Sequence, residues 1–297
     1  MDPHAALLAA IADRPEEGTL RLAYADWLED HAGDLPDPAA ARARAEFIRV
    51  QCEVKRLEHL PSASQQGYAD LYRRQDHLLT HHRGDLLGPL ADALGPHDAV
   101  FAEGFVTELR LDAPVFVRFA VAVDALRPRP AVIVSGVARH LDELADVSHL
   151  LPSVTTANMQ SPRGADTRTL TPADVWNVFV ECWPWDGLRE LNMEGCEIGD
   201  DGLGRLAGSE AVPRLAHLDV SGNEISDAGV AALVASPLWP RLRALVLGAN
   251  PISDEGAFAL ADAPPTGLEY LNLKFTGITR HGQQRLLRRK GWKVDLF

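Results

Sequence analysis

The apolar residues of this chain recur in two rhythms, and the clearer one fills its C-terminal third. Four segments share a pattern: Leu188-Arg-Glu-Leu191-Asn-Met193, Leu215-Ala-His-Leu218-Asp-Val220, Leu242-Arg-Ala-Leu245-Val-Leu247 and Leu268-Glu-Tyr-Leu271-Asn-Leu273. Their first leucines stand 27, 27 and 26 residues apart. Three residues after each last apolar position come Cys196, Asn223, Asn250 and Thr276, and two residues later Ile198, Ile225, Ile252 and Ile278. Apolar and polar alternation predicts a short strand with one side inward, and the apolar residues that follow, such as Ala228, Val230 and Leu233, are spaced for a helix. Each unit therefore reads strand, turn, helix. One such unit cannot cover its own apolar side, whereas stacked units share a continuous core.

This period and its Asn, Cys or Thr position resemble leucine-rich repeats of the longer, ribonuclease-inhibitor-like kind. Gly229 in Asp-Ala-Gly and Gly256 in Asp-Glu-Gly match that family's habit of a glycine near the helix start. The resemblance implies an α/β solenoid with parallel strands on a concave inner face and helices outside. The turn Asn or Cys is expected to bond backbone groups of its own and the adjacent unit, because the chain leaves the strand there with unpaired donors. Upstream the repeat is degenerate. Phe105 to Leu111 reads as a strand, Val115 to Leu126 as a helix, and Ala131 to Val134 and Pro152 to Ala157 as further strands. An exposed loop is expected around Ser161-Pro-Arg-Gly-Ala-Asp, then a helix capped by Thr171 with Pro172 at its first position and Val175 and Phe179 inward. Trp292, Val294 and Leu296 alternate, which predicts a closing strand.

Residues 1–97 follow the helical rhythm alone and read as a small all-α domain before a solenoid of residues 98–297. Leu7, Leu8 and Ile11 mark one helix, and Leu20, Tyr24, Trp27 and Leu28 a second. A third is expected from Pro38 to about Leu60 with Phe47, Val50, Val54 and Leu57 inward, and a fourth from Gln65 to His82 after the break at Pro61-Ser-Ala-Ser. The segments Leu22-Ala-Tyr-Ala-Asp26-Trp27-Leu-Glu-Asp30, Arg44-Ala-Glu46-Phe47-Ile-Arg49-Val-Gln51 and Phe101-Ala-Glu-Gly-Phe-Val resemble the repeat-companion domain that heads many leucine-rich-repeat proteins of planctomycetes and myxobacteria. Ala45 stands where that family commonly has Gly, and the preceding loop is longer. The resemblance implies a bacterial protein with a helical head and repeats, and it carries no biochemical activity with it.

Composition narrows the function. A net charge of -13 disfavours nucleic acid and anionic membranes as general partners. The exception is the cluster Arg280, Arg285, Arg288, Arg289, Lys290 and Lys293, which reads first as a solvated helix face and second as a nucleic-acid contact. The three cysteines, Cys52, Cys182 and Cys196, are scattered, which suits buried thiols in a reducing compartment. The acidic start Met1-Asp2-Pro3-His4 lacks the form of a secretory signal, and no apolar run reaches the roughly 20 residues of a membrane span, so a cytoplasmic location is expected.

Searches for catalytic chemistry return little. His77 and His81 share a helix face near His82 and Asp85, but no Glu follows His77 as the zinc-protease pattern needs. Asp26, Trp27, Glu46 and Arg49 could gather as a carboxylate site, though they would serve equally as an ion pair and aromatic wedge between helices. Gly202-Leu-Gly204-Arg-Leu-Ala207 only superficially matches a dinucleotide fingerprint. Cys182 and Cys196, near Trp183 and Trp185, have no His at a suggestive spacing. No enzyme activity, cofactor, metal or small-molecule ligand is expected, and a metal- or carboxylate-dependent enzyme in the head is the alternative. The expected function is recognition of another protein, one bearing a basic patch, on the concave strand face. Alternation puts there Glu108, Arg110 and Asp112; Ile133 and Ser135; Glu190, Asn192 and Glu194; His217, Asp219 and Ser221; Ala244, Val246 and Gly248; and Tyr270, Asn272 and Lys274. Its charge is graded, from acidic around Glu190, Glu194 and Asp219, through apolar around Val246, to basic at Lys274.

Overall fold

The computed structural model describes residues 2–58, 65–159 and 184–296, the side chains of Gln65 and Gln66 excepted. The break at Pro61, the loop at Ser161, the helix opened by Thr171 with Val175 and Phe179, and Cys182 and Trp183 lie outside the described residues. The chain divides into two compact units, one of residues 1–111 and 119–131, the other of residues 112–118 and 132–297.

In the second unit the strands β3 (Ala131–Ser135), β4 (Thr156–Asn158), β5 (Glu190–Asn192), β6 (His217–Asp219), β7 (Ala244–Val246), β8 (Tyr270–Asn272) and β9 (Lys293–Asp295) pair in chain order, all parallel. Their register sets Ala157, Leu191, Leu218, Leu245, Leu271 and Val294 in one row. The four leucines of that row are at most 2 % exposed, and burying each stabilises the unit by about 1.5–3 kcal/mol. The repeats thus stack in the register that their spacing predicts. Four helices follow strands β5 to β8: α8 (Gly199–Gly208), α9 (Asp227–Val234), α10 (Asp254–Asp262) and α11 (Arg280–Leu287). (Helices α1 to α7 precede them in the chain.) Leu206, Leu233, Leu260 and Leu286 are their fully buried anchors.

Two polar ladders tie unit to unit. In the turns, Asn223 is fully buried; its Oδ1 accepts from the N–H of Cys196 (3.0 Å) and Ile198 (3.3 Å), and its Nδ2 donates to the carbonyls of Met193 (2.8 Å) and Ser221 (2.9 Å). Asn250 repeats this one unit on, accepting from Asn223 N (2.9 Å) and Ile225 N (3.0 Å). At the helix starts, Asp200, Asp227 and Asp254 accept from the backbone N–H of Ser226 (2.7 Å), Ser253 (2.8 Å) and Thr279 (2.8 Å) in the following unit. Each of those hydroxyl residues caps its own helix. The aspartate row explains the helix-start glycines: a Cβ at Gly229, Gly256 or Gly282 would collide with the carboxylate of Asp200, Asp227 or Asp254.

Two expectations need correction here. Ala228 is exposed, because the adjacent Gly229 takes the close approach to the preceding unit, and Val230 and Leu233 face the core. The strand expected over Pro152–Ala157 is confined to Thr156–Asn158. A 3-10 turn occupies Ser148–Ser153, where Ser153 Oγ donates to Leu150 O at 2.7 Å, and Pro152 offers no N–H to a ladder.

The first unit holds α1 (Pro3–Asp13), α2 (Gly18–Asp30), α3 (Pro38–Glu58), α4 (Gln65–His81), α5 (Arg83–Leu87) and a hairpin of β1 (Ala99–Ala102) with β2 (Phe105–Asp112). Helices α6 (Ala113–Ala125) and α7 (Leu141–Asp146) come next in the chain. One apolar cluster joins Ile11, Tyr24, Ala25, Leu28, Ala45, Ile48 and Phe105; a second joins Phe47, Val50, Leu78 and Leu86. The hairpin turn Glu103-Gly104 has φ of 50° and 86°, the left-handed geometry of two-residue hairpins. Gly104 is obligatory there, since a Cβ would strike Ile48 of α3, and its N–H donates to Gln51 Oε1 at 2.6 Å. Glu103, 5 % exposed, pairs with Arg21 at 3.5 Å and with Lys55. Residues from all three segments that resemble the companion domain therefore pack onto one another around this turn.

Candidate partner-binding face

The strand register lays the open side of the second unit out as two rows. One runs Ile133, Thr156, Glu190, His217, Ala244, Tyr270, Lys293, and the other Ser135, Asn158, Asn192, Asp219, Val246, Asn272, Asp295. Glu190, Asn192, His217, Asp219, Val246, Tyr270 and Asn272, marked by alternation, stand in these rows. Glu194, Ser221 and Lys274 lie two residues past the strands, in the turns. Thr156, Asn158, Lys293 and Asp295 join the face in addition to the residues that the sequence assigns to it. The first two were hidden by the misplaced strand start at Pro152, whereas the alternation of Trp292, Val294 and Leu296 already implied the other two.

Side chains of the second row are fixed by the turns behind them. Asn192 Oδ1 accepts from Glu194 N (2.9 Å), Asp219 Oδ1 from Ser221 N (3.0 Å) and Ser221 Oγ (2.6 Å), and Asn272 Oδ1 from Lys274 N (2.9 Å), each the local turn that Asn and Asp favour. At β7 the apolar Val246 breaks the series. Gly248, expected on the open face, is instead buried, because the next turn closes over it: a Cβ there would lie 3.0 Å from Lys274 O. In the first row His217 Nδ1 and Glu190 Oε1 are 3.0 Å apart. Tyr270 donates its hydroxyl to Asp295 Oδ2 at 2.9 Å, and Lys293 Nζ sits 5.8 Å from its ring centre. Burial, then the bond to Asp295, pushes the Tyr270 phenol above its ordinary value.

Between β3 and β7 the face dips into a cleft of about 260 Å³, lined by Ile133, Thr156, Asn158, Glu190, Leu191, Asn192, His217, Leu218, Asp219, Ala244 and Val246. Two carboxylates and no Lys or Arg line it. Its floor is the buried leucine row and its far wall is apolar.

Glu108 and Arg110 lie on β2 in the first unit, where Arg110 Nη2 pairs with Glu108 Oε1 at 2.5 Å. In that unit Asp26 and Arg49 form an ion pair and Glu46 stands apart from it. Arg49 pairs with Asp26 at 2.8 Å and with Glu29, all partly exposed, while Glu46 turns to Arg74 on α4. Trp27 stacks between His4 (5.1 Å) and His31 (4.8 Å). His77 and His81 do share a helix face, their rings stacked at 4.2 Å, with His81 Nδ1 spent on His77 O; among the described residues no third His, Cys, Asp or Glu joins them in a metal-sized group. In the C-terminal basic cluster, Arg285 Nη2 donates to both carboxylate oxygens of Asp262 (2.6 and 2.7 Å) and Arg289 donates to the carbonyls of Ala261, Ala263 and Pro264. Burial pushes the Cys196 thiol up to about 12 and the Cys52 thiol up to about 11. Among the described residues no helix is long and apolar enough to cross a membrane.

Comparison with known proteins bears on the repeat region. A family model described as Leucine Rich repeat matches residues 188–207, 215–234 and 241–261. No curated protein matches. Among solved structures, a Bacteroides fragilis protein from a structural genomics programme is similar at 13 % identity and a TM-score of 0.41, over 64 % of this chain and 65 % of that one, so the chain spans about 65 % of that protein's length. The matched segments, each carrying a strand, a turn and a following helix, are of the leucine-rich-repeat type.

Proposed function

We propose that the strand face of the repeats is a protein-recognition surface and that the chain acts by binding, as a scaffold or adaptor in a bacterial cytoplasm, rather than by catalysis. One observation carries this reading. The cleft joins acidic and apolar side chains on strands whose second row is already held by turn hydrogen bonds, so a partner meets a surface with little left to order. An apolar centre beside charged rims is the usual make-up of an interface. The most conspicuous polar residues of the repeats, Asn223 and Asn250, are saturated by backbone groups and have structural work. We read the helical head as the companion domain, on the ground that its three sequence segments meet at the Glu103-Gly104 turn. Engagement of Arg285 and Arg289 within the fold weighs against a nucleic-acid role for the basic cluster.

The test is selection of peptides from a random display library on the purified chain, followed by binding to the Glu190→Ala, Asp219→Ala, Tyr270→Ala triple variant. Loss of binding with the melting temperature nearly unchanged is the expected result. Enriched peptides that bind the triple variant as well as the parent, or a library that yields none, would remove the proposal.

A further inference from the structure

Resting on that reading, we infer that the cleft between β3 and β7 is an anchor site for an arginine side chain of the partner. At about 260 Å³ it lies below the roughly 300–1,000 Å³ of small-molecule pockets, a size suited to one long side chain. Glu190 on β5 and Asp219 on β6 stand one strand across and two residues along, about 8 Å apart at their Cα atoms by sheet geometry. Each has one carboxylate oxygen already in use. Glu190 Oε1 faces His217 and Asp219 Oδ1 holds the Ser221 turn. The second oxygen of each, Oε2 and Oδ2, has no hydrogen-bond partner among the described residues, and both residues line the cleft.

A planar guanidinium offers five N–H donors in a fork that can reach two separated carboxylates, where an ammonium acts as a compact point charge. Behind the carboxylates, Ala244 and Val246 give the alkyl stem an apolar wall, as long basic side chains require when their stems leave water. Among the described residues, two cations of the face stand away from the cleft. Lys293 is on β9 against the Tyr270 ring, and Lys274 is in the turn after β8. Among the described residues no Lys or Arg lines the cleft to balance its two carboxylates.

The experiment is a nuclear magnetic resonance titration of the isotope-labelled full chain with N-acetyl-arginine amide, and separately with the lysine and norleucine amides. Expected are millimolar saturation by the arginine probe with shifts centred on β5 to β7, at least tenfold weaker binding of the other two, and weakening as NaCl rises from 50 to 500 mM. The variant Glu190→Gln, Asp219→Asn should weaken arginine at least tenfold while keeping its fold, since Gln retains an acceptor for His217 and Asn makes this very turn bond at positions 192 and 272. An equal response to norleucine or lysine, shifts centred away from β5 to β7, salt insensitivity, or unchanged affinity in the variant would overturn the inference. Display peptides that bind the face without arginine would overturn it too, and would leave the broader recognition reading standing.

Discussion

Replacing Asn223 by Ala tests how much of the solenoid rests on the asparagine ladder. The substitution removes four hydrogen bonds, three of them buried. Three of the backbone groups keep another partner: Cys196 N reaches Met193 O at 3.3 Å, Met193 O accepts that bond, and Ser221 O accepts from Gly195 N at 2.9 Å. Ile198 N is left with none and stays buried. Leaving one buried donor orphaned costs about 1–3 kcal/mol and each of the three other bonds lost about 0.5–1.5 kcal/mol, so the variant should be destabilised by about 2.5–7.5 kcal/mol. Domains of ordinary size have only about 5–15 kcal/mol in total. Urea unfolding followed by circular dichroism should show a midpoint lowered in proportion, and a second transition where repeats on either side of the break unfold separately. A loss below 1 kcal/mol would refute the reasoning, because it would mean that water or relaxed turns replace the side chain at no cost.

Two further outcomes follow from the same turns and their neighbours. Phe275 is 85 % exposed at φ 59°, in the turn position that Gly195 and Gly222 occupy in the first two repeats. Left-handed backbone costs a side-chain-bearing residue about 1–2 kcal/mol and glycine's looser unfolded chain takes back about 0.4–1 kcal/mol, so Phe275→Gly should raise stability in urea by up to about 1.6 kcal/mol; a measurable decrease would count against the strain. Thiols raised to about 12 at Cys196 and about 11 at Cys52 are almost wholly protonated at pH 8, and only the thiolate alkylates. Site-resolved mass spectrometry should therefore find both cysteines at least a hundredfold slower to react with iodoacetamide in the native chain than in urea, with the rate climbing through pH 9; equal rates in the two states would show the burial to be wrong.

The repeat region was legible because its signal is redundant. Four copies of one pattern at 26- to 27-residue spacing identify the inward leucines, the turn asparagines and the helix anchors without reference to any neighbour. The aspartate ladder was present at the same spacing, Asp200, Asp227 and Asp254, yet its meaning was not, since Asp at a helix start also reads as an ordinary solvated first turn. Upstream, single copies failed where local chemistry competed. Pro152 sits in a stretch rich in apolar residues but cannot join a ladder, and the strand begins only at Thr156.

For the candidate face, alternation along one strand decided which residues are outward, and that is a property of the chain alone. Which outward residues stand side by side is decided by register between strands, and which remain open is decided by the next turn, as the covering of Gly248 and the tethering of Tyr270 to Asp295 show. The same division holds in the helical unit. The sequence brought Asp26, Glu46 and Arg49 together either as a site or as an ion pair between helices, but only packing of α2 and α4 against α3 gave Arg49 to Asp26 and Glu29 and sent Glu46 to Arg74. Backbone periodicity and apolar burial are written into consecutive residues, and so the sequence by itself determined a stacked repeat with a buried leucine row. Polar partners depend on distances of a few ångströms between residues some 20 to 80 positions apart, such as Arg21 and Glu103, and only the folded chain settles those.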